Sequence, residues 1–325
     1  MPANQRSPES SRWYVLGAGA MGCLWATALQ SHLRRPSATA LIVRDEAAVA
    51  NYPGEITIEG FAGDVQRFQI PAFSSLALAQ ARSPVQNLVL SCKAQDAESA
   101  LAGIAPCLSD TSRIVLLQNG IRVQQTLTLH RPPGSVFCLS TSHGAWIKFP
   151  YHVVHAGQGN AWLGLLPPAN TAAATSALTQ LIGELPASDM HISIDHDMAS
   201  RLWLKFAVNC AINALTVFYN CQNGELLSNP HAKNHLQALC REISELTDAI
   251  PECPVLPDLW QHVQQVATAT RHNYSSTLQD IQRKRPTEIE HLNGWLCELA
   301  GRHHLPCPLN DTLLNHVRQR QTSHF

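Results

Sequence analysis

What the sequence lacks narrows its class before any motif is read. Ten cysteines are scattered from Cys23 to Cys307 without a single CxxC pair, which in a chain of 325 residues excludes a compact disulfide framework. Several lie inside apolar helical or strand-like runs, so reduced, buried thiols in a cytosolic protein are expected. Sixteen histidines include no HExxH, and the neighbours His303 and His304 cannot both face one way from a helix or strand. Structural or surface histidines are expected, and no metal site. Neither sign of charge is in excess: Lys+Arg number 23 and Asp+Glu 24, for a net charge of -1. That balance gives no support to a nucleic-acid or anionic-membrane partner. The opening residues MPANQRSPESSR hold neither an apolar core nor an Arg-rich amphipathic pattern, so no targeting signal is read there. No apolar run approaches the roughly 20 residues of a membrane helix, and no membrane partner is expected.

The length suffices for two domains, each with its own core. Near the start, the short β-rich run Trp13-Tyr14-Val15-Leu16 leads into Gly17-Ala18-Gly19-Ala20-Met21-Gly22 and then into the apolar run Cys23–Leu29. Strand, GxGxxG turn and helix in that order form the context a dinucleotide fingerprint requires. Gly17 permits the tight turn, Gly19 lets backbone approach a pyrophosphate, and Gly22 lets helix and strand pack closely. The helix start, at Ala20 and Met21, offers free N–H groups to phosphate. A glycine turn with a purely structural role is the plainer alternative. The next strand, Thr39–Val43, ends in Arg44, a basic group where an NADP site needs one for the 2′-phosphate. Asp45 follows directly and points the other way, toward a ribose 2′-OH.

Residues Ile56 to Ile70 alternate like a β-ribbon. The apolar runs Leu88–Cys92 and Ile114–Leu117 then end in Lys93 and in Gln118-Asn119-Gly120, at the carboxyl ends where an open parallel sheet places its ligand crevice. Lys93 and Asn119 are positioned there for cofactor or substrate, although a solvated strand end and an ordinary Asn-Gly turn would look alike. Val136–Ser140 reads as another strand. His152–His155 and Trp162–Gly164, broken by Gly157-Gln158-Gly159, read as a hairpin. A domain boundary is placed near Asp195, giving residues 12–195 and 196–325. Beyond it the pattern is nearly all helical, with amphipathic helices at Glu225–Thr247 and Leu256–Thr270 flanking the Pro-rich PECPVLP turn.

The stretch Arg201–Asn220 is apolar all round apart from Lys205, Asn209 and Asn213. Steps of four place those three on one helical face. A buried helix carrying an ammonium and two amides must pair them, because each polar group left alone costs ~1–3 kcal/mol or more. Pairing within the core is one outcome. The wall of a ligand site is the other, since lysine is rarely buried without a partner or a purpose. Farther on, Arg283-Lys284-Arg285 reads as a solvated loop, with phosphate contact as the alternative. Thr287 stands where it can cap a helix whose apolar stripe is Ile289, Leu292, Leu296 and Leu299, and Glu288 sits at the edge of that stripe.

These residues run in the order of a known family. GAGAMG at Gly17–Gly22, SCK at Ser91–Lys93, QNG at Gln118–Gly120, HAGQG at His155–Gly159, KFAVNCAIN at Lys205–Asn213, NGEL at Asn223–Leu226 and NYSSTLQDIQRKRPTEIEHLNG at Asn273–Gly294 resemble the ketopantoate (2-dehydropantoate 2-) reductase family over nearly the whole chain. The resemblance implies an N-terminal Rossmann-type doubly wound α/β domain and an all-α C-terminal domain like that of 6-phosphogluconate dehydrogenase. It implies NADPH-dependent reduction of 2-dehydropantoate to (R)-pantoate in pantothenate biosynthesis. By the family pattern Lys205 is the general acid, and Glu288 positions it or the substrate hydroxyl. Asn209, Asn213, Asn273 and Ser276 hold the substrate, Lys93 and Asn119 lie along cofactor and substrate, and Arg44 meets the 2′-phosphate. Phe206 stands where leucine is commoner, and Glu290 where the family has aspartate.

The chemistry of these side chains agrees. Hydride delivered to a ketone leaves an alkoxide, which a nearby ammonium can both stabilise and protonate. Burial would lower the lysine pKa and suit it to that task near neutral pH. Amides and a hydroxyl suit a small 2-oxo acid. Two other functions share the frame: a reductase of a different 2-oxo or 3-oxo acid, and an NADPH-binding sensor without catalysis. Monomer and homodimer remain equally open.

Overall fold

The computed structural model of the chain describes residues 12–169 and 171–322; the N-terminal stretch read for targeting signals lies, apart from Arg12, outside them. The chain forms two compact units. One comprises the residues up to Gln118 together with Val123–Met198, and the other comprises Asn119–Arg122 together with the residues from Ala199 onward. The passage between them falls after Met198, inside a long helix, and the boundary expected near Asp195 lies just ahead of that helix.

The described residues of the first unit contain β1 (Trp13–Leu16), β2 (Thr39–Val43), β3 (Glu55–Glu59), β4 (Val65–Gln69), β5 (Ala72–Ser74) and β6 (Asn87–Leu90). They continue with β7 (Arg113–Leu116), β8 (Val136–Thr141), β9 (Gly144–Phe149), β10 (His152–Gly157), β11 (Ala161–Gly164) and β12 (Ile192–Ile194). Eight strands form one sheet in the order β12-β11-β8-β7-β6-β1-β2-β5. All its pairings are parallel except β11 with β8. The order reverses beside β1, whose neighbours are β2 and β6, and such a switch point opens a crevice at the carboxyl ends of the strands. β1, β2 and β6 are buried at every residue, as expected of parallel strands covered on both faces. That is why they read in sequence as unbroken apolar runs.

Four strands, β4-β3-β10-β9, form a second sheet. Helix Ala20–Leu33 packs against β1 and β2 of the first sheet and against β3, β9 and β10 of the second. Coverage from both sides explains why Cys23, Trp25, Ala26 and Leu29 are all fully buried. The ribbon expected at Ile56–Ile70 is the antiparallel pair β3 and β4, with Ile56 opposite Phe68. The hairpin expected at His152–Gly164 does not form. β10 pairs with β9 and β3 in the small sheet, whereas β11 pairs with β8 and β12 in the large one. The Gly157-Gln158-Gly159 break therefore carries the chain from one sheet to the other, a choice no local turn signal encodes. β12 lies just before the expected boundary at Asp195, and at three residues it is too short to show a period.

The second unit is helical. Its long helix spans Met198–Tyr219, and contrary to the expectation from run length it is long and apolar enough to cross a membrane by length and composition. Lys205, Asn209 and Asn213 interrupt the run without lowering its average much. Of its most apolar window 72% is buried within the protein itself, the condition of a core helix. Trp203 and Phe206 are nearly inaccessible and meet edge-to-face with centroids 5.4 Å apart. The helix expected over Glu225–Thr247 is two, Glu225–Ser228 and Pro230–Ala249. Pro230 lacks the N–H a continuous helix would need, and Asn229 instead caps the second helix by accepting from the N–H groups of His231 and Ala232. The segment from Leu256 enters its helix only at Leu259. The stripe of Ile289, Leu292, Leu296 and Leu299 is buried throughout. It is divided between a 3-10 turn, Ile289–His291, and helix Asn293–Arg302, with the Thr287 hydroxyl accepting from the N–H of Ile289.

Candidate active site

In the first unit the carboxyl ends of β1, β2 and β6 surround a cavity of about 890 Å³ lined by Gly17, Gly19, Arg44, Ser75, Lys93 and Tyr151 among others. The glycines shape its floor. Gly17 has φ +110°, and a Cβ there would come 2.7 Å from the Cys92 nitrogen. At Gly22 a Cβ would stand 2.0 Å from the Gly17 carbonyl oxygen. At Gly19 it would meet nothing within 4 Å, so that backbone faces open space. The Ser91 hydroxyl holds the turn by donating to the carbonyls of Leu16, at 3.1 Å, and Gly17, at 2.9 Å.

Gly19 is the N-cap of helix Ala20–Leu33, with no side-chain cap and no acidic residue in the first turn. The N–H groups of Ala20, Met21 and Gly22 belong to that first turn and need acceptors from outside the helix, and the helix end carries its partial positive charge uncancelled. Backbone that a side chain would block, next to a bare helix start and roomy space, fits a dinucleotide pyrophosphate.

Arg44 and Asp45 both line this cavity. The Asp45 carboxylate accepts from the Ala48 N–H at 2.8 Å and so caps the short helix Glu46–Ala50. Arg44 is exposed and lines the cavity, and the Ser75 hydroxyl donates to its carbonyl oxygen at 2.9 Å. Lys93 lines the same cavity as the N-cap of helix Ala94–Gly103. Ser75, Ser99, Asp96 and Tyr151 also line it without having been singled out in the sequence. Ser75 could have been found as the residue just past a third strand end, whereas Tyr151 arrives from the second sheet and left no local signal.

The second unit gathers most of the remaining candidates. Lys205 and Asn209 are half-buried and Asn213 is buried, on the one face their spacing of four requires. Burial pushes the Lys205 ammonium down to about 8, an effect that the nearby Glu288 carboxylate partly opposes. The Asn213 amide donates to the Ser276 hydroxyl at 3.4 Å. Ser276 opens helix Ser276–Gln282, whose N-cap Ser275 accepts from the Leu278 N–H and pairs with Thr216 at 2.6 Å. The long helix thus fixes where this segment starts. Asn273 is exposed, and its carbonyl accepts from the Asn223 N–H at 3.0 Å. Gly224 permits that approach, because a Cβ on it would lie 2.6 Å from the Arg271 Cβ.

Asn119 does not line the cavity of the first unit. It belongs to the second unit, where its amide donates to Glu288 Oε2 at 3.2 Å. The basic run Arg283–Arg285 is exposed, with Arg285 paired to Asp280 at 3.0 Å.

Known proteins resemble this chain in sequence and in fold. The family model described as "Ketopantoate reductase PanE/ApbA" matches residues 13–168, and "Ketopantoate reductase PanE/ApbA C terminal" matches residues 197–321. The 2-dehydropantoate 2-reductase of Salmonella typhimurium is 30% identical over 95% of both chains. Among solved structures, a D-mandelate dehydrogenase holding NADH and anilino(oxo)acetate superposes with a TM-score of 0.85 at 21% identity, covering 96% of this chain and 99% of that one. A probable 2-dehydropantoate 2-reductase from Bacillus subtilis gives 0.77 at 24% identity, covering 95% and 99%.

Proposed function

The chain belongs to the ketopantoate reductase family, and from that premise we propose that it reduces 2-dehydropantoate to (R)-pantoate with NADPH, in pantothenate biosynthesis. The observation that carries the reading is the pair of Lys205 and Glu288. A lysine on an otherwise apolar helix, lowered to about 8 by burial and kept from falling further by a carboxylate, is a proton donor matched to neutral pH. NADPH supplies the hydride when bound. Lys205 then gives its proton to the developing alkoxide oxygen and, while still charged, stabilises it. Glu288 keeps the lysine protonated before that transfer. Asn209, Asn213, Asn273 and Ser276 offer amides and a hydroxyl for the carboxylate and hydroxyl of a small 2-oxo acid.

The preference for NADPH is supported by Arg44, which is exposed at the cavity, and by the use of one carboxylate oxygen of Asp45, beside it at the cavity, as a helix cap. The cytoplasm is the expected location, a reducing compartment in which the ten cysteines, all free thiols, remain reduced.

The test is NADPH oxidation with 2-dehydropantoate beside a panel of other 2-oxo and 3-oxo acids, repeated with NADH. The highest kcat/KM is expected for 2-dehydropantoate with NADPH. A better substrate elsewhere in the panel would move the activity to that acid. Cofactor binding with no oxidation by any of them would leave a sensor.

A further inference from the structure

The tetrapeptide Asn119–Arg122 lies in sequence between β7 and helix Arg122–His130, yet it belongs to the helical unit. Its contacts there follow one line. The Asn119 amide donates to Glu288. Gly120, at φ +87°, faces the His291 carbonyl so closely that a Cβ would stand 3.0 Å from that oxygen. Ile121 is buried. The Arg122 guanidinium lies 4.6 Å from the centroid of the Trp295 ring and donates to Glu298 Oε2 at 2.9 Å. These partners follow one another along the chain, Glu288 and His291 at the 3-10 turn and Trp295 and Glu298 on helix Asn293–Arg302, and form a single stripe. The stripe ends at Arg302, 4.9 Å from the same Trp295 ring and bonded to the other oxygen of Glu298 at 2.6 Å. Two guanidiniums against one buried indole, bridged by one carboxylate, form a built anchor at the far end of the loop from Asn119.

We propose that Arg122 is a positioning residue: stacked on Trp295 and paired with Glu298, it holds the Asn119–Arg122 loop along this stripe so that the Asn119 amide orients the Glu288 carboxylate. The inference rests on the role given to Glu288 above. Exposed ion pairs contribute little to global stability, and the stacking contact is local. The consequence of losing them is therefore misalignment of Asn119 and Glu288, not unfolding. Misplacement by about 1 Å at a reacting centre can cost up to ~100-fold in rate.

The experiment compares Arg122→Ala, Arg122→Lys, Trp295→Leu and Asn119→Ala. Arg122→Ala is expected to lower kcat on the order of 10- to 100-fold with the NADPH dissociation constant and the unfolding midpoint unchanged. Lysine restores the ion pair but not the planar stack, so Arg122→Lys recovers part of the loss, and Trp295→Leu reproduces it. In an Asn119→Ala background, adding Arg122→Ala is expected to cost less than about twofold more, since both act through one contact. Full additivity, or an Arg122→Ala enzyme with wild-type kcat, overturns the proposal. Hydrogen exchange reads the anchor without any reaction: the peptide carrying residues 119–122 is expected to exchange at least tenfold faster in Arg122→Ala. Unchanged exchange overturns the anchoring whatever the wild-type enzyme reduces, while a wild type inert to every oxo acid overturns the functional reading alone.

Discussion

Lys205, the proton donor proposed above, sits where its charge costs the fold stability. Its ammonium is lowered from an ordinary 10.5 to about 8, first by burial and against the pull of Glu288. If it is the proton donor, kcat/KM should fall as pH rises through about 8. In Lys205→Arg that limb should vanish, because arginine stays protonated. Lys205→Ala should lower kcat by about 10²–10⁴-fold while NADPH still binds, and turnover near that of the wild type would remove the residue from the mechanism. Stability carries the opposite sign. The folded-state pKa lies below the unfolded one, so below about 8 the folded chain bears the full cost of confining an ammonium. Between about 8 and 10.5 that cost fades as the folded state releases its proton first. Lys205→Met should therefore stabilise the protein at pH 7 by on the order of 1–3 kcal/mol, with the gain shrinking toward pH 10; denaturant melts at the two pH values would measure it. If Arg44 meets the 2′-phosphate as proposed, its removal loses one charge-assisted contact, ~1.5–3 kcal/mol. Arg44→Ala should raise KM for NADPH roughly 10- to 100-fold and leave KM for NADH nearly unchanged.

At the scale of elements, the Gly17–Gly22 turn and helix Ala20–Leu33 form one device. The helix is apolar because two sheets cover it, and its start is bare because Gly19 provides no cap. Gly22 closes the device, since no Cβ fits 2.0 Å from the Gly17 carbonyl. Gly22→Ala must push the helix start away from the strand end, and NADPH affinity measured by titration should drop by at least tenfold. Affinity equal to wild type would mean that the turn does not shape the phosphate site. The long helix Met198–Tyr219 combines two requirements in the same way. Trp203 and Phe206 anchor it in the core, while its Lys205–Asn213 face carries the polar groups. Phe206→Ala should cost about 3–5 kcal/mol of stability, read by denaturant melts.

For the molecule as a whole, ligand binding and stability are linked. NADPH at 100 times its dissociation constant should add about 2.7 kcal/mol to the stability of whatever unfolds with its site. Calorimetry should show the unfolding midpoint rising by several degrees, and Gly22→Ala should reduce that rise at the same NADPH concentration.

Much of this protein was legible in one dimension. The glycine turn in its strand and helix context, the apolar runs ending at Arg44 and Lys93, and the polar stripe of Lys205, Asn209 and Asn213 all depend on local periodicity and on residue chemistry that does not change with context. Such features follow from backbone sterics and from the cost of burying unpaired polar groups. The tertiary structure decided what depends on distant partners. Strands β10 and β11, adjacent in sequence, went to different sheets, because strand pairing is settled by which edges and faces remain to be covered. Asp45 became a helix cap while lining the cavity beside Arg44. Asn119 left the sheet whose strand precedes it and joined Glu288, since Gly120 meets His291 and Arg122 meets Trp295 and Glu298, and no spacing along the chain encodes a contact across more than a hundred residues.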